Sequence, residues 1–106
     1  MINRGGFKIS PLSIDNVLLA LPGIREAAAV GVPDPIYGEE VVAFVARTPA
    51  ASLSEDDIRA HCGRYLTPAE CPKKIFFIDE VPKTASGKIM RRALLERYHM
   101  ITTRNA

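Results

Sequence analysis

The sequence predicts a small α+β domain: a mostly antiparallel three-stranded sheet packed by helices, plus a short N-terminal hairpin. Three observations predict it. Apolar runs of strand length alternate with segments of helical periodicity along 106 residues, of which 47% are hydrophobic. Helix starts are marked by capping residues, and prolines and glycines separate the segments. The length fits one domain, and we find no internal repeat or low-complexity segment.

The first half of the chain predicts a hairpin, a helix and two strands. Residues 2 to 9 form the short hairpin or tight turn. Ser10 and Pro11 then begin a helix, with serine as the N-cap and proline at the first helical position, and Pro22-Gly23 ends it. Apolar residues recur inside it at helical spacing: Ile14, Val17, Leu18 and Leu21. Strands at 24–32 and 41–47 are expected to pair antiparallel across the Pro33–Glu40 connection.

The second half predicts a helix, a strand and a last helix. Ser54 followed by Glu55, Asp56 and Asp57 resembles a capping box, so residues 55 to 66 should be helical. A proline-broken loop at 67–74 leads to a strand at 75–79 and a helix at about 88–98, and residues 101–106 are expected to fray. The inner face of the middle helix should be lined or bordered by Ile58, His61, Cys62 and Tyr65.

Composition excludes several classes of function. A formal net charge of +2 without a basic run interleaved with aromatics argues against nucleic-acid binding. The apolar stretches fall short of the roughly 20 residues that span a bilayer, so no membrane partner is expected. No signal peptide is evident, which makes a cytoplasmic location the default. Cys62 and Cys71 are therefore expected as free thiols, and without Cys-x-x-Cys spacing we predict no metal site.

One lysine stands out from the rest of the sequence. The segment Pro82-Lys83-Thr84-Ala85-Ser86-Gly87-Lys88-Ile89 places Lys88 at the tip of a small, flexible loop between an apolar strand and a basic helix. A phosphate-binding P-loop would need glycine five places before Gly87 and serine or threonine after the lysine, but Pro82 and Ile89 stand there. The alternative from composition alone is a solvated surface lysine.

Three collinear segments carry a resemblance to a known family. Pro82 to Ile89, followed by Met90-Arg91-Arg92, resembles the lysine-bearing C-terminal motif of the acyl-adenylate-forming enzymes. Residues 2–11 (INRGGFKISP) resemble the stretch just after that family's interdomain hinge. Residues 29–34 (AVGVPD) with Tyr37-Gly38-Glu39 resemble its GVPD-x-x-x-GE strand and turn. Together these matches span roughly residues 1 to 98.

The resemblance implies a domain role. Residues 1–100 would be the C-terminal lid domain of an AMP-forming acyl-CoA synthetase, with 101–106 as a tail. The full-length enzyme would convert a small carboxylic acid to acyl-AMP with ATP and Mg²⁺, and then to acyl-CoA with CoA or a pantetheinyl carrier. The large N-terminal domain would hold the nucleotide and acyl pockets. This domain alone is therefore predicted to bind no cofactor and to be inactive.

The resemblance also implies the site residues. Lys88 falls at the family's adenylation lysine, with Gly87 beside it. Gly5 and Gly6 fall where backbone approaches the pantetheine arm, although a plain turn is the alternative. Lys8 falls where relatives often carry a polar residue near the nucleotide phosphate, and a solvated strand lysine is an equal alternative.

Several further positions keep two interpretations. Asp34, Tyr37, Gly38 and Glu39 are expected to shape the turn between the two strands, rather than to form a catalytic carboxylate pair. Arg91 and Arg92 either meet CoA phosphates or cover a helix face, and the second is favoured. Relatives commonly show aromatic-Lys-x-Pro where this chain has Ala69-Glu70-Cys71-Pro72, so a CoA or interdomain contact there is in doubt.

Two other hypotheses are kept for the whole chain. It could be a stand-alone, non-catalytic module that docks in trans on an adenylating domain or a carrier protein. Lys88 could also be an acetylation target, because a lysine on an accessible loop would lose its charge on modification.

Overall fold

The computed structural model describes residues 1–104 and shows one five-stranded sheet with helices on both faces. The α+β class predicted from the sequence is confirmed. The elements in chain order are β1 (Ile2–Arg4), β2 (Phe7–Ile9), α1 (Pro11–Leu19), β3 (Ile24–Asp34), β4 (Gly38–Arg47), α2 (Glu55–Tyr65), β5 (Lys74–Phe77) and α3 (Arg91–Arg104).

The predicted N-terminal hairpin is part of the sheet. The strand order is β2-β1-β4-β3, with β5 pairing β4 as well, so the three expected strands are extended by two. All pairings are antiparallel except β4 with β5, which run parallel from Val42↔Lys74 to Val45↔Phe77. The parallel pair follows from its connection, because α2 crosses over between the two strands.

β4 is the central strand, and it divides the core in two. Val41, Ala43 and Val45 face one cluster, while Val42 and Phe44 face the other. Burial of both faces explains why this strand is a continuous apolar run. The first cluster packs against α1 and α2, and the second packs against α3.

Two helix starts follow the predicted capping chemistry. The Ser10 hydroxyl accepts a hydrogen bond from the amide of Ser13 at the start of α1. In α2, Ser54 Oγ accepts from the Asp57 amide and the Asp57 carboxylate accepts from the Ser54 amide, which completes a capping box. Both signals satisfy amides that a helix start leaves without partners.

Three predicted details differ from the structure. Tyr65 is not on the inner face of α2 but 65% exposed, with its ring against His61. α3 begins at Arg91 rather than at Lys88, and it continues to Arg104 instead of ending near Tyr98. Residues 101–104 of the expected tail are therefore helical, and residues 105–106 lie outside the described part of the chain.

Both cysteines are free thiols, as expected from their sequence context. None of the helices between residues 1 and 104 has the length and apolar character needed to span a bilayer.

Candidate functional site

Lys88 lies on one arm of a tight hairpin, which we call the lysine hairpin (residues 82–90). Lys83 and Ile89 pair as an antiparallel bridge, and the Met90 amide donates to the Pro82 carbonyl. The Thr84 amide donates 2.8 Å to the Lys88 carbonyl. The segment is thus a hydrogen-bonded hairpin, and Lys88 lies on its second arm rather than at the tip expected from the sequence.

The tip of the lysine hairpin explains its sequence. The Gly87 amide donates to the Thr84 carbonyl, and Gly87 has φ 89°, a left-handed angle that glycine adopts without strain. This is the pattern of a three-residue hairpin loop that closes on a glycine bulge. Thr84 Oγ1 also accepts from the Lys88 amide at 3.1 Å, which fixes the backbone of the lysine. Gly87 therefore has a conformational role.

The Lys88 side chain is exposed, and within residues 1–104 no carboxylate lies within ion-pair distance of it. An ammonium group in this position is available to an anion outside the domain. The backbone beneath it is held while the side chain is not, so the geometry offers a positioned positive charge.

The carboxylate of Glu26 on β3 holds the first arm of the lysine hairpin. Its Oε1 accepts from the Val81 amide at 2.6 Å, and its Oε2 lies 3.2 Å from the Lys83 ammonium. The hydrogen bond from Val81, followed by the charge of Lys83, lowers the pKa of Glu26 below its ordinary value. These contacts thus favour the ionised form of Glu26, which accepts from the Val81 amide and pairs with the Lys83 ammonium.

An ion pair between the buried Asp15 and the partly exposed Arg91 holds the second arm. Arg91, the first residue of α3, donates to Asp15 Oδ2 at 2.7 Å and to the Ala29 carbonyl at 2.8 Å. Asp15, 1% exposed in α1, also accepts from the Ala29 amide at 2.7 Å. Arg91 therefore does not simply cover a helix face, the interpretation that the sequence favours, because its guanidinium ties α3 to α1 and β3. Arg92 is exposed, as expected for a residue on a helix face.

Gly5 and Gly6 form the two-residue turn between β1 and β2, which we call the glycine hairpin (residues 2–9). Gly5 has φ 61° and its amide donates to the Tyr37 carbonyl at 2.8 Å. A Cβ on Gly5 would meet the Tyr37 ring at 3.6 Å, whereas a Cβ on Gly6 would meet nothing within 4 Å. Gly6 thus leaves open space at the surface of the turn.

The β3–β4 turn forms a socket for the glycine hairpin. The Asp34 carboxylate accepts hydrogen bonds from the amides of Ile36 and Tyr37. These bonds, chiefly the one from Tyr37, lower the pKa of Asp34 below its ordinary value. Glu39 Oε1 accepts from the Asn3 amide at 2.8 Å. These side chains therefore shape the turn and seat β1, which confirms their structural interpretation.

Arg4 completes that socket. Its guanidinium stacks 3.9 Å above the ring of Tyr37 and pairs with Glu40 at 2.8 Å. The pair is mostly buried on the Glu40 side, whose side chain is 8% exposed. Two of the sequence motifs, the post-hinge stretch and GVPD-x-x-YGE, therefore form one structural unit.

Lys8 borders a cleft of about 510 Å³ between β2 and the loop before β5. Its wall residues are Arg4, Phe7, Lys8, Ile9, Thr67, Pro68, Ala69 and Glu70. Phe7 is 63% exposed, and Glu70 caps its own loop by accepting from the amide and hydroxyl of Thr67. Residues 69–72, where this chain lacks the aromatic-Lys-x-Pro pattern, thus place the Glu70 carboxylate across the cleft from Lys8. That carboxylate is already hydrogen-bonded within its own loop.

The two hairpins lie at different ends of β3. The lysine hairpin is tied to β3 between Glu26 and Ala29, whereas the glycine hairpin pairs with Gly38, which lies opposite Asp34. Five to eight residues of strand separate these attachments, or roughly 15–25 Å. The predicted site residues therefore do not converge, and Lys88 is grouped with Gly87 while Gly5, Gly6 and Lys8 share the other end.

Sequence reasoning missed the two acids that hold the lysine hairpin. Asp15 lies among the polar positions of α1, and Glu26 opens an alanine-rich strand. Their partners are 76 and 55 residues away, so no local pattern announces them. The one available signal was that Glu26 is an acid in a strand that is otherwise largely apolar.

Comparison with known proteins identifies the architecture. The family model described as AMP-binding enzyme C-terminal domain matches residues 13–88. The chain is 45% identical over 98 residues to an oxalate–CoA ligase of Arabidopsis thaliana, covering 92% of this chain and 19% of the relative. It is 50% identical over 95 residues to a sulfoacetate–CoA ligase of Cupriavidus necator, covering 90% and 19%.

A solved structure shares the fold. ATP-bound MatB from Rhodopseudomonas palustris superposes with a TM-score of 0.87 at 33% identity, covering 92% of this chain and 20% of that one. The chain thus spans about a fifth of the length of the relatives it matches.

Proposed function

This chain belongs to the AMP-binding enzyme C-terminal domain family, and from that membership we propose that it is the C-terminal part of an AMP-forming acyl-CoA synthetase. The relatives named as CoA ligases, each about five times longer, support this function. The remaining four fifths would be a large N-terminal domain that holds ATP and a small carboxylic acid. In the first half-reaction the carboxylate attacks the α-phosphate of ATP, forming acyl-AMP and releasing pyrophosphate. A thiol of CoA or of a pantetheinyl carrier then displaces AMP.

Lys88 is the proposed adenylation lysine. The attacking carboxylate and the phosphate oxygens crowd negative charge together in the transition state, and a fixed ammonium in a water-poor cleft offsets that charge. The exposed side chain on a hydrogen-bonded hairpin is the observation that carries this assignment. The role is electrostatic, so it needs no proton transfer by the lysine. Mg²⁺ bound with ATP in the large domain would neutralise further phosphate charge.

The glycine hairpin is the proposed thiol-side element. The open space above Gly6 lets backbone lie close to an extended pantetheine arm, and a side chain there would occupy it. Lys8 borders the neighbouring cleft and could meet a phosphate. Gly5 contributes the turn itself through its left-handed backbone.

A domain rotation would use the two hairpins in turn. Because the two hairpins attach near opposite ends of the β3–β4 pair, roughly 15–25 Å apart along the strands, one rigid domain is poorly placed to present both to a single nucleotide site at once. We therefore propose that one orientation delivers Lys88 for adenylation and a second delivers the glycine hairpin for thioester formation.

The test is a chimera in which this chain replaces the matching segment of the sulfoacetate–CoA ligase. We expect Lys88→Ala to lower acyl-AMP formation by about 100-fold or more, because a charge present only for the transition state is lost. Thioester formation from supplied acyl-AMP should stay within about threefold. Lys74→Ala, which removes another exposed lysine, serves as the matched control.

Equal loss in both half-reactions, or no loss in either, would contradict the assignment of Lys88. The 106-residue chain alone, mixed with ATP, CoA and carboxylic acids, should release no pyrophosphate above the blank. Robust release from the chain alone would overturn the proposed dependence on a larger domain.

A further inference from the structure

Glu26 on β3 contacts the residue before the lysine hairpin with one carboxylate oxygen and the hairpin itself with the other. One oxygen accepts from the Val81 amide at 2.6 Å, and the other pairs with the Lys83 ammonium at 3.2 Å. Its side chain is only 19% exposed. The contact therefore fixes both the backbone that enters the hairpin and the first residue of its paired arm.

The lysine hairpin has no comparable support at its tip. Gly87 would gain a Cβ in open space, and residues 83–88 are all exposed. Apart from the Val81 and Ile89 side chains that pack on the second core cluster, its ties to the sheet are Glu26 on one side and the Asp15–Arg91 pair on the other, while Arg25 of β3 donates to the Asp79 carbonyl just before the hairpin. Because the side chains of residues 84–88 form no hydrogen bond or ion pair with the sheet within residues 1–104, the position of the hairpin tip depends on the contacts that hold the two ends of the hairpin.

The two ties differ in what they hold. The Asp15–Arg91 pair joins three elements and bonds the backbone of Ala29, so it belongs to the packing of α1 and α3. Glu26 joins β3 only to the hairpin and the residue before it. Loss of Glu26 should therefore alter the position of the hairpin with less effect on the fold.

We propose that Glu26 is a positioning residue for the adenylation half-reaction, holding Val81 and Lys83 so that the Lys88 ammonium stands at a fixed place when the domain docks. This inference rests on the proposed function. Lys83 pairs with Ile89, the neighbour of Lys88, so a displacement at Glu26 passes to the catalytic lysine through one strand pair. Displacements of about 1 Å in such groups can cost up to 100-fold in rate.

The experiment uses the same chimera and measures both half-reactions separately. Glu26→Gln keeps an oxygen for Val81 but loses the charge opposite Lys83, and we expect kcat for acyl-AMP formation to fall about 10-fold. Glu26→Ala removes both contacts and should lower it by about 50- to 100-fold. KM for ATP and thioester formation from acyl-AMP should each change by less than about threefold.

Two further variants separate positioning from folding. Lys83→Met removes the nearer of the two cations on Glu26, with Arg25 remaining at 3.5 Å, so it should lower acyl-AMP formation as Glu26→Gln does, and the double variant should lose less than the two losses combined. Glu80→Gln, which changes an exposed acid beside Val81 that does not contact Glu26 or Lys83, is the matched control. If Glu26→Ala does not fold, the pair Glu26→Gln and Lys83→Met carries the test.

The outcomes distinguish this inference from the proposed function. If Lys88→Ala leaves adenylation intact, the role proposed for Lys88 fails, and the positioning role of Glu26 fails with it. If Lys88→Ala abolishes adenylation while Glu26→Gln and Lys83→Met leave it unchanged, only the positioning role is overturned. Equal losses in both half-reactions for the Glu26 variants would likewise overturn it, because a merely structural acid affects every step.

Discussion

Replacement of Asp15 is the sharpest test of how the domain is held together. Its Oδ1 accepts from the Ala29 amide, and both oxygens accept from the Arg91 guanidinium. Asparagine has nearly the same shape but only one acceptor oxygen. If that oxygen keeps the bond to Ala29, the new NH₂ group faces a guanidinium that also donates, so Asp15→Asn sets two donors against each other.

The magnitude follows from burial. Removing one partner of a fully buried ion pair costs about 3–5 kcal/mol. The Arg91 side chain is 30% exposed, so water recovers part of that loss, and we expect Asp15→Asn to cost about 2–3 kcal/mol. Asp15→Ala also leaves the buried Ala29 amide unpaired, which adds about 1–2 kcal/mol.

The assay is urea unfolding of the 106-residue chain, followed by far-UV circular dichroism. With a slope near 1.5 kcal/mol per molar urea, Asp15→Asn should lower the midpoint by about 1.5 M. Glu96→Gln, at an exposed position of α3, should change the free energy of unfolding by less than about 0.5 kcal/mol. Combined with Arg91→Met, Asp15→Asn should cost at least about 1 kcal/mol less than the sum of the two. Additive costs, or a loss below about 0.5 kcal/mol for Asp15→Asn, would refute the reasoning.

Further predictions concern four single residues. Gly5→Ala should destabilise the chain by about 1–2 kcal/mol because the backbone of Gly5 has φ 61°. Gly6→Ala should leave urea unfolding unchanged but slow thioester formation in the chimera. If thioester formation is also unchanged, Gly6 is a plain turn residue. Burial raises the pKa of Cys62 to about 11, so a thiol reagent at pH 8 should modify it only after unfolding, and fast labelling of the native chain would contradict its burial. The pKa of Glu26 is lowered from 4.5, chiefly by the Val81 amide, so its stabilisation is complete above that pH and is lost as the pH falls through the folded-state value. The stability difference between the wild type and Glu26→Gln should therefore shrink below pH 4.5, and a constant difference would show that the charge is not involved.

Local chemistry made much of the fold predictable. Ser10 with Pro11, and Ser54 with its three acids, are capping signals that act within four residues, so the starts of α1 and α2 follow from sequence. The β3–β4 pair was predictable because two apolar runs flank a short turn. Its bounds were not, since Asp34 draws the turn inward by bonding the amides of Ile36 and Tyr37, which lengthens both strands.

The remainder depended on partners that are distant in sequence. The start of α3 is delayed to Arg91 because Lys88 and Ile89 pair with the preceding arm, a choice that helical spacing cannot show. The addition of the glycine hairpin to the sheet rests on one pairing, Arg4 with Gly38. Of the candidate site, the positions of Lys88 and the glycines could be predicted by resemblance. The acids that hold the lysine hairpin could not, because a carboxylate in an apolar segment has no sequence-local sign of its partner.

The edge strand β3 also bears on whether copies of this chain self-associate. Within residues 1–104, β3 pairs with β4 on one side and with no strand on the other, and an open strand edge of this kind can pair with strands from other molecules. At Ala29 both outward backbone groups are already occupied, one by Asp15 and the other by Arg91. Pro33, farther along the same strand, has no amide hydrogen to offer. The ion pair that joins the helices therefore also discourages self-association, and a variant that loosens it should be more prone to aggregate than its loss of stability alone explains.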